Sequence, residues 1–222
     1  MPVQSRMILT GIASSPNSVA LSQKPASGGY QHLTLNGSAV VAGVAVFSTQ
    51  IGVSITSTGN ESTLYFKIEG TNQLGYLQTE QVLGPNVGTV HSNLFYTTVT
   101  SVIVSGNTAG NITVGNVGNA SPWFPMNYNR YPVSSQICNI SPGAVLNYTV
   151  QFTGDDLQWV DGKITRNASA LAIPQDHTTL TNQTISNTGT LISGVCGLRI
   201  ILNSWTSGSV TMNIIQSSAT AS

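Results

Sequence analysis

Charge is what this chain has least of. Its 222 residues include seven Lys or Arg and seven Asp or Glu, and the formal net charge is zero. A soluble domain ordinarily draws about a quarter of its residues from those four types. Balanced and sparse charge gives no basic footprint for a phosphate backbone, so no nucleic-acid partner is expected. A free monomer with so little charge tends to associate and precipitate. The surface is therefore expected to be covered by copies of the chain or by a larger assembly. That favours a structural or binding role over a soluble enzyme.

Other absences narrow the field further. No apolar run approaches the roughly 20 residues of a membrane helix, and no membrane partner is expected. The start, Met1-Pro2-Val3-Gln4-Ser5-Arg6, followed by only Met7-Ile8-Leu9, makes a poor signal peptide. Cys138 and Cys196 fit no metal-ligand spacing and are expected as two buried thiols; a bond across two strands is the alternative. Asn-x-Ser/Thr triplets begin at Asn36, Asn60, Asn111, Asn119, Asn139, Asn147, Asn167 and Asn182. In a chain this rich in Asn, Ser and Thr they are read as chance. There is no Gly-x-Ser-x-Gly elbow and no His-Glu-x-x-His stretch. His32, His91 and His177 are scattered, with no second ligand type at metal spacing. Asp155, Asp156 and Asp161 lack the ligand ladder of an EF-hand loop and read as solvated turns. No catalytic, cofactor or metal residue is named, and no cofactor is expected.

What is present is β-strand pattern. Val40 to Phe47 is an apolar, β-branched run. Ile51, Val53 and Ile55 alternate with Gly52, Ser54 and Thr56, and Leu64, Phe66 and Ile68 with Tyr65, Lys67 and Glu69. Such alternation sends one set to a core and the other toward solvent or a partner. Gly70 to Gly75 reads as a hairpin connection and Gly84-Pro85-Asn86 as a turn. Leu146, Tyr148, Val150 and Phe152 alternate, as do Val210, Met212 and Ile214 on the last strand. Asp161-Gly162 reads as a tight turn between two short strands. No segment of ten or more residues has helical spacing. Strands every 8 to 12 residues predict an all-β chain built as an antiparallel β-sandwich, Ig-like or jelly-roll-like. Residues 1–30 read as an extended N-terminal arm, with a short strand at Met7 to Ile12. A first β unit spans 31–117 and a second 118–222; a single sandwich whose first and last strands pair is the alternative.

One aromatic cluster stands out. Trp123, Phe124, Tyr128, Arg130 and Tyr131 lie among Pro122, Pro125 and Pro132. Aromatic side chains supply large contact area at small entropic cost, so these five are the candidate protein-interface residues. A plug between β units and a sugar-stacking site are the alternatives for the same cluster.

The first β unit resembles a module of tailed-bacteriophage virion structural proteins. The residues carrying the resemblance are 55–60 (Ile-Thr-Ser-Thr-Gly-Asn), 66–72 (Phe-Lys-Ile-Glu-Gly-Thr-Asn), 78–89 (from Gln78 to Thr89), 96–102 (from Tyr96 to Val102) and 108–115 (from Thr108 to Gly115). The stretch Gly197 to Gln216 resembles the last hairpin of a virion β-sandwich. The resemblance implies a non-enzymatic particle component, made in the bacterial cytoplasm and located in the virion. Within that class it implies a capsid decoration (cement) protein, a homo-oligomer with the trimer favoured. Its partners would be the major capsid protein or other virion proteins. A tail or head–tail connector subunit is the alternative, and a receptor-binding carbohydrate module a further one.

Overall fold

The computed structural model describes residues 3–126, 133–155, 157, 159–160, 163–164 and 172–216. Among them there is no helix, and every sheet partnership recorded is antiparallel. The chain forms two compact units, residues 13–119, and residues 1–12 together with 120–222.

The chain opens with β1 (Val3–Thr10), which belongs to the outer unit. The inserted unit then follows with β2 (Ser15–Gln23), β3 (Gln31–His32), β4 (Val40–Val41), β5 (Val44–Asn60), β6 (Tyr65–Thr71), β7 (Leu77–Leu83), β8 (Asn86–Val104) and β9 (Ile112–Ala120). One layer runs β2-β9-β5-β8 and uses the first half of β8, where Asn86 to Tyr96 face β5. The other runs β3-β8-β6-β7 and uses the second half, where Thr98 to Val104 face β6. Register shifts between Val46 and Ile51 of β5, and between Glu69 and Gly70 of β6, mark where β8 changes partners. Bulges of this kind bend a strand and let it pass from one layer to the next. Gly70 is required at this bend, because a Cβ there would lie 2.0 Å from the Thr98 carbonyl oxygen.

The outer unit resumes with β10 (Phe124–Pro125), β11 (Ser134–Ile140), β12 (Val145–Thr153), the hairpin β13 (Trp159–Val160) and β14 (Lys163–Ile164), then β15 (Gln175–Asp176), β16 (Asn187–Leu191), β17 (Gly197–Ser207) and β18 (Ser209–Gln216). One sheet is β1-β18-β11-β16, and the other is β10-β17-β12-β15. Leu9, Cys138, Val210, Met212 and Ile214 of the first pack against Leu146, Tyr148, Val150, Leu198, Ile200 and Leu202 of the second. Each fully buried aliphatic or aromatic side chain contributes about 1.5–3 kcal/mol. Gly208, at φ 85°, makes the tight β17–β18 turn that a side chain would strain.

Both units share one topology. With the short β4, β13 and β14 set aside, eight strand positions counted in chain order, and β8 filling two of them in the inserted unit, each has one layer ordered 1-8-3-6 and the other 2-7-4-5. That order is an eight-stranded jelly roll. The chain therefore carries two jelly rolls, one inserted between the first and second strands of the other.

The antiparallel β-sandwich expected from the pattern is present, and the jelly-roll form is the one adopted. Within residues 1–30, expected as an arm, Val3–Thr10 and Ser15–Gln23 are sheet strands: β1 lies along the whole of β18, and β2 pairs β9. The unit boundary falls at 119/120, beside the expected 117/118, while the start moves from 31 to 13 because β2 and β3 supply two positions of the inserted unit. Gly52 and Ser54, expected to face solvent or a partner, are buried. A Cβ on Gly52 would lie 2.9 Å from the Val117 carbonyl oxygen, so this stretch of β5 is covered on both faces.

Candidate interaction surfaces

Of the five aromatic-cluster residues, Trp123 and Phe124 are described, whereas Tyr128, Arg130 and Tyr131 lie outside the described residues. Ser121 pins the segment to β17: its N–H donates to the Ile200 carbonyl at 2.9 Å, and its hydroxyl accepts from the Ile200 N–H at 2.9 Å. Trp123 is only 5% exposed and packs on Leu157 and Ala172. The Arg199 guanidinium lies 4.5 Å from the centroid of the Trp123 ring, within cation–π range. Arg199 Nε donates to Gln151 Oε1 at 2.8 Å, and Gln151 Nε2 donates to Asp176 Oδ1 at 2.8 Å. Burial lowers the Arg199 pKa to about 10, partly opposed by the Asp176 carboxylate. Phe124, half-buried, lies opposite Leu198 and packs on the core. As placed, Trp123 is an inward side chain of its own unit and offers no open stacking platform.

The polar residues singled out by sequence are mostly engaged locally. Asp155 Oδ2 accepts from the Thr153 hydroxyl at 3.0 Å and from the Ile173 N–H at 2.6 Å; Asp156 and Asp161 lie outside the described residues. His177 is fully buried, with Nδ1 accepting from the Thr179 N–H at 3.1 Å, and burial lowers its pKa. His32 Nδ1 lies 3.2 Å from the Ser101 hydroxyl. Cys138 and Cys196 form no disulfide; burial raises the Cys138 thiol to about 12. Glu61, which the sequence did not flag, is buried. Its carboxylate accepts from the Ser57 hydroxyl and from the Ala109 and Gly110 N–H groups at 2.8–3.0 Å. This arrangement holds the Thr108–Gly110 loop and does not present the carboxylate to solvent. Among the described residues no three His, Cys, Asp or Glu gather at metal-binding distance.

Two surface features of the inserted unit remain. A cleft of about 220 Å³ is lined by Ser14, Ser15, Ser54, Thr56, Thr89 and His91, with Pro16, Asn116 and Val117. Thr56 and Thr89 share a 2.7 Å hydroxyl bond across the β5–β8 ladder, so part of the lining is already satisfied. The second feature is the outer face of the β6–β7 hairpin. Tyr65 and Leu83 are cross-strand partners there, 52% and 48% exposed, and Leu77 is 58% exposed at the other end of β7. Alternation alone marked Tyr65 as outward. The exposure of Leu77 and Leu83, between the expected hairpin connection at Gly70 to Gly75 and the turn at Gly84, carried no signal of its own in the sequence.

No protein-family model matches the chain, and no curated protein matches it. Among solved structures, the crystal structure of the major capsid protein P2 from bacteriophage PM2 aligns over 96% of this chain and 97% of that chain, at 11% identity and a TM-score of 0.23. At that score the likeness carries no argument, and the fold rests on the strand order above.

Proposed function

We propose that this chain is a non-enzymatic structural protein of a bacteriophage virion, whose work is contact with other copies and other shell proteins. The observation that carries the reading is the pair of jelly rolls in one chain with very few charged residues. Jelly rolls recur in viral capsids, but also in lectins and cupins, so fold alone does not set the role. The scarcity of charge tips the balance. A surface with so few repelling groups suits permanent burial against protein. Exposed Tyr65, Leu77 and Leu83 supply apolar contact on one hairpin. The sequence resemblance to tailed-phage virion proteins points the same way.

Two placements follow from this reading. The resemblance favours a decoration protein, a homo-oligomer (trimer favoured) seated on the finished head over the major capsid protein. Such a protein stabilises the assembled lattice by binding it and not the free subunits. The presence of two jelly rolls in one chain favours a subunit of the shell itself. One experiment separates them: purified particles are quantified for this chain, stripped with mild denaturant and re-imaged by electron microscopy. On the order of hundreds of symmetry-related copies per particle are expected under either placement. Loss of the chain from intact heads marks decoration, and collapse of the heads as it leaves marks the shell. About a dozen copies at a vertex would indicate a connector. Complete absence of the chain from particles would overturn the proposal.

A further inference from the structure

The free edge of β7 is built to meet itself. β7 closes its layer, and β6 is its only paired neighbour among the described residues. The Asn72 N–H donates to the Tyr76 carbonyl at 3.0 Å, and the Gly84 N–H to the Leu64 carbonyl at 2.8 Å. Antiparallel ladders alternate, so residues 76, 78, 80, 82 and 84 turn their main-chain groups toward β6. Leu77, Thr79, Gln81 and Leu83 then turn theirs outward, and the side chains of all four are exposed. Of the devices that usually blunt an edge, only one is present, an inward-pointing charge. No Lys, Arg or Pro lies in Leu77–Leu83, and the pairing with β6 runs without a register shift. Glu80, its one charged residue, turns inward. Its carboxylate accepts from the Asn93 N–H at 2.7 Å, the Asn93 side-chain amide at 2.8 Å and the Leu94 N–H at 3.0 Å.

We propose that two copies of this chain pair antiparallel through β7 about a two-fold axis at Glu80, joining their layers into one continuous sheet. In that register Leu77 faces Leu83 of the second copy at both ends, and Thr79 faces Gln81 at both inner positions. Every outward N–H and C=O of the four residues finds a partner. On the axis Glu80 meets Glu80 of the second copy, each carboxylate tied to Asn93 and Leu94 of its own chain, which offsets part of a like-charge cost. The four outward residues are their own complement, as an isologous contact requires. Tyr65, beside Leu83 on β6, extends the Leu–Leu contact into an apolar patch at each end. One seven-residue strand pair buries less than a stable two-protein interface, so the free chain dimerises weakly and an array strengthens the contact through multivalency.

The inference does not depend on the virion reading, because it concerns the free chain. Its test is sedimentation equilibrium of the full chain up to about 0.5 mM, where weak association is measurable. The native chain is expected to show a monomer–dimer equilibrium. T79K/Q81K sets Lys against Lys twice and is expected to weaken dimerisation at least ~10-fold. T79K/Q81E sets Lys against Glu twice and is expected to restore it to within about threefold of native. Circular dichroism melts check that both variants stay folded. A monomeric native chain overturns the proposal, as does a folded Lys/Lys variant that dimerises like the native chain, or a Lys/Glu variant as weak as Lys/Lys.

Discussion

His177 shows how a buried polar group ties stability to pH. It is enclosed, and a Cβ on neighbouring Gly189 would lie 2.6 Å from its ring. Burial disfavours the imidazolium, so the folded-state pKa lies below the ordinary 6.5. The unfolded chain then binds more protons between those two values. Its stabilising contribution is complete above pH ~6.5 and declines as pH falls through that region toward the folded-state value. His177→Asn removes the titrating ring while keeping an acceptor for the Thr179 N–H. Urea titrations from pH 7.5 to 5 are expected to show a shallower loss of stability for this variant than for the native chain. An equally steep loss would place the acid sensitivity elsewhere. Little of this was readable beforehand: the sequence showed only an isolated histidine, and its enclosure depends on β16, through Gly189, and on β12, whose Val150 carbonyl accepts from the His177 N–H at 2.9 Å.

At the scale of elements, the strands were legible wherever one face is apolar. Phe66 and Ile68 turn inward beside outward Tyr65, and Val210, Met212 and Ile214 are buried, as their alternation indicated. β13 and β14 pair antiparallel on either side of Asp161-Gly162, where a turn was expected and which lies outside the described residues. Alternation did not show that β8 serves two layers. That depends on the close approach of β6 and β8 at Gly70, so Gly70→Ala is expected to cost about 2–4 kcal/mol, read from the urea midpoint. A cost under ~0.5 kcal/mol would mean that the backbone yields easily there. The first strand gives a second prediction. Met7 and Leu9 pack in the outer core, and β1 covers one edge of β18. Deleting residues 1–10 is expected to destabilise the outer unit by at least ~3 kcal/mol and to promote association through the bared β18 edge. A free arm would come off with no change in the melt.

For the whole molecule, the defining feature is one jelly roll inserted in another. The ends of the inserted unit lie together: Ser15 of β2 faces Asn116 of β9, and the Asn116 side chain donates to the Ala13 carbonyl at 2.9 Å. Adjacent ends are what allow one unit to be carried within another. Residues 13–119 expressed alone are therefore expected to fold, with a single cooperative urea transition and β-type circular dichroism. A chain that stays unfolded in isolation would show that this unit needs the rest of the polypeptide.

Composition and alternation sufficed to establish an all-β chain poor in charge, because burial on one strand face leaves a period of two. Strand order did not follow, since hydrogen-bond partners such as β1 and β18 are some 200 residues apart and main-chain pairing is blind to side-chain identity. The same holds for Trp123. Its residue type suggested an interface, but only the approach of Leu157 and Arg199 from distant segments made it an interior group.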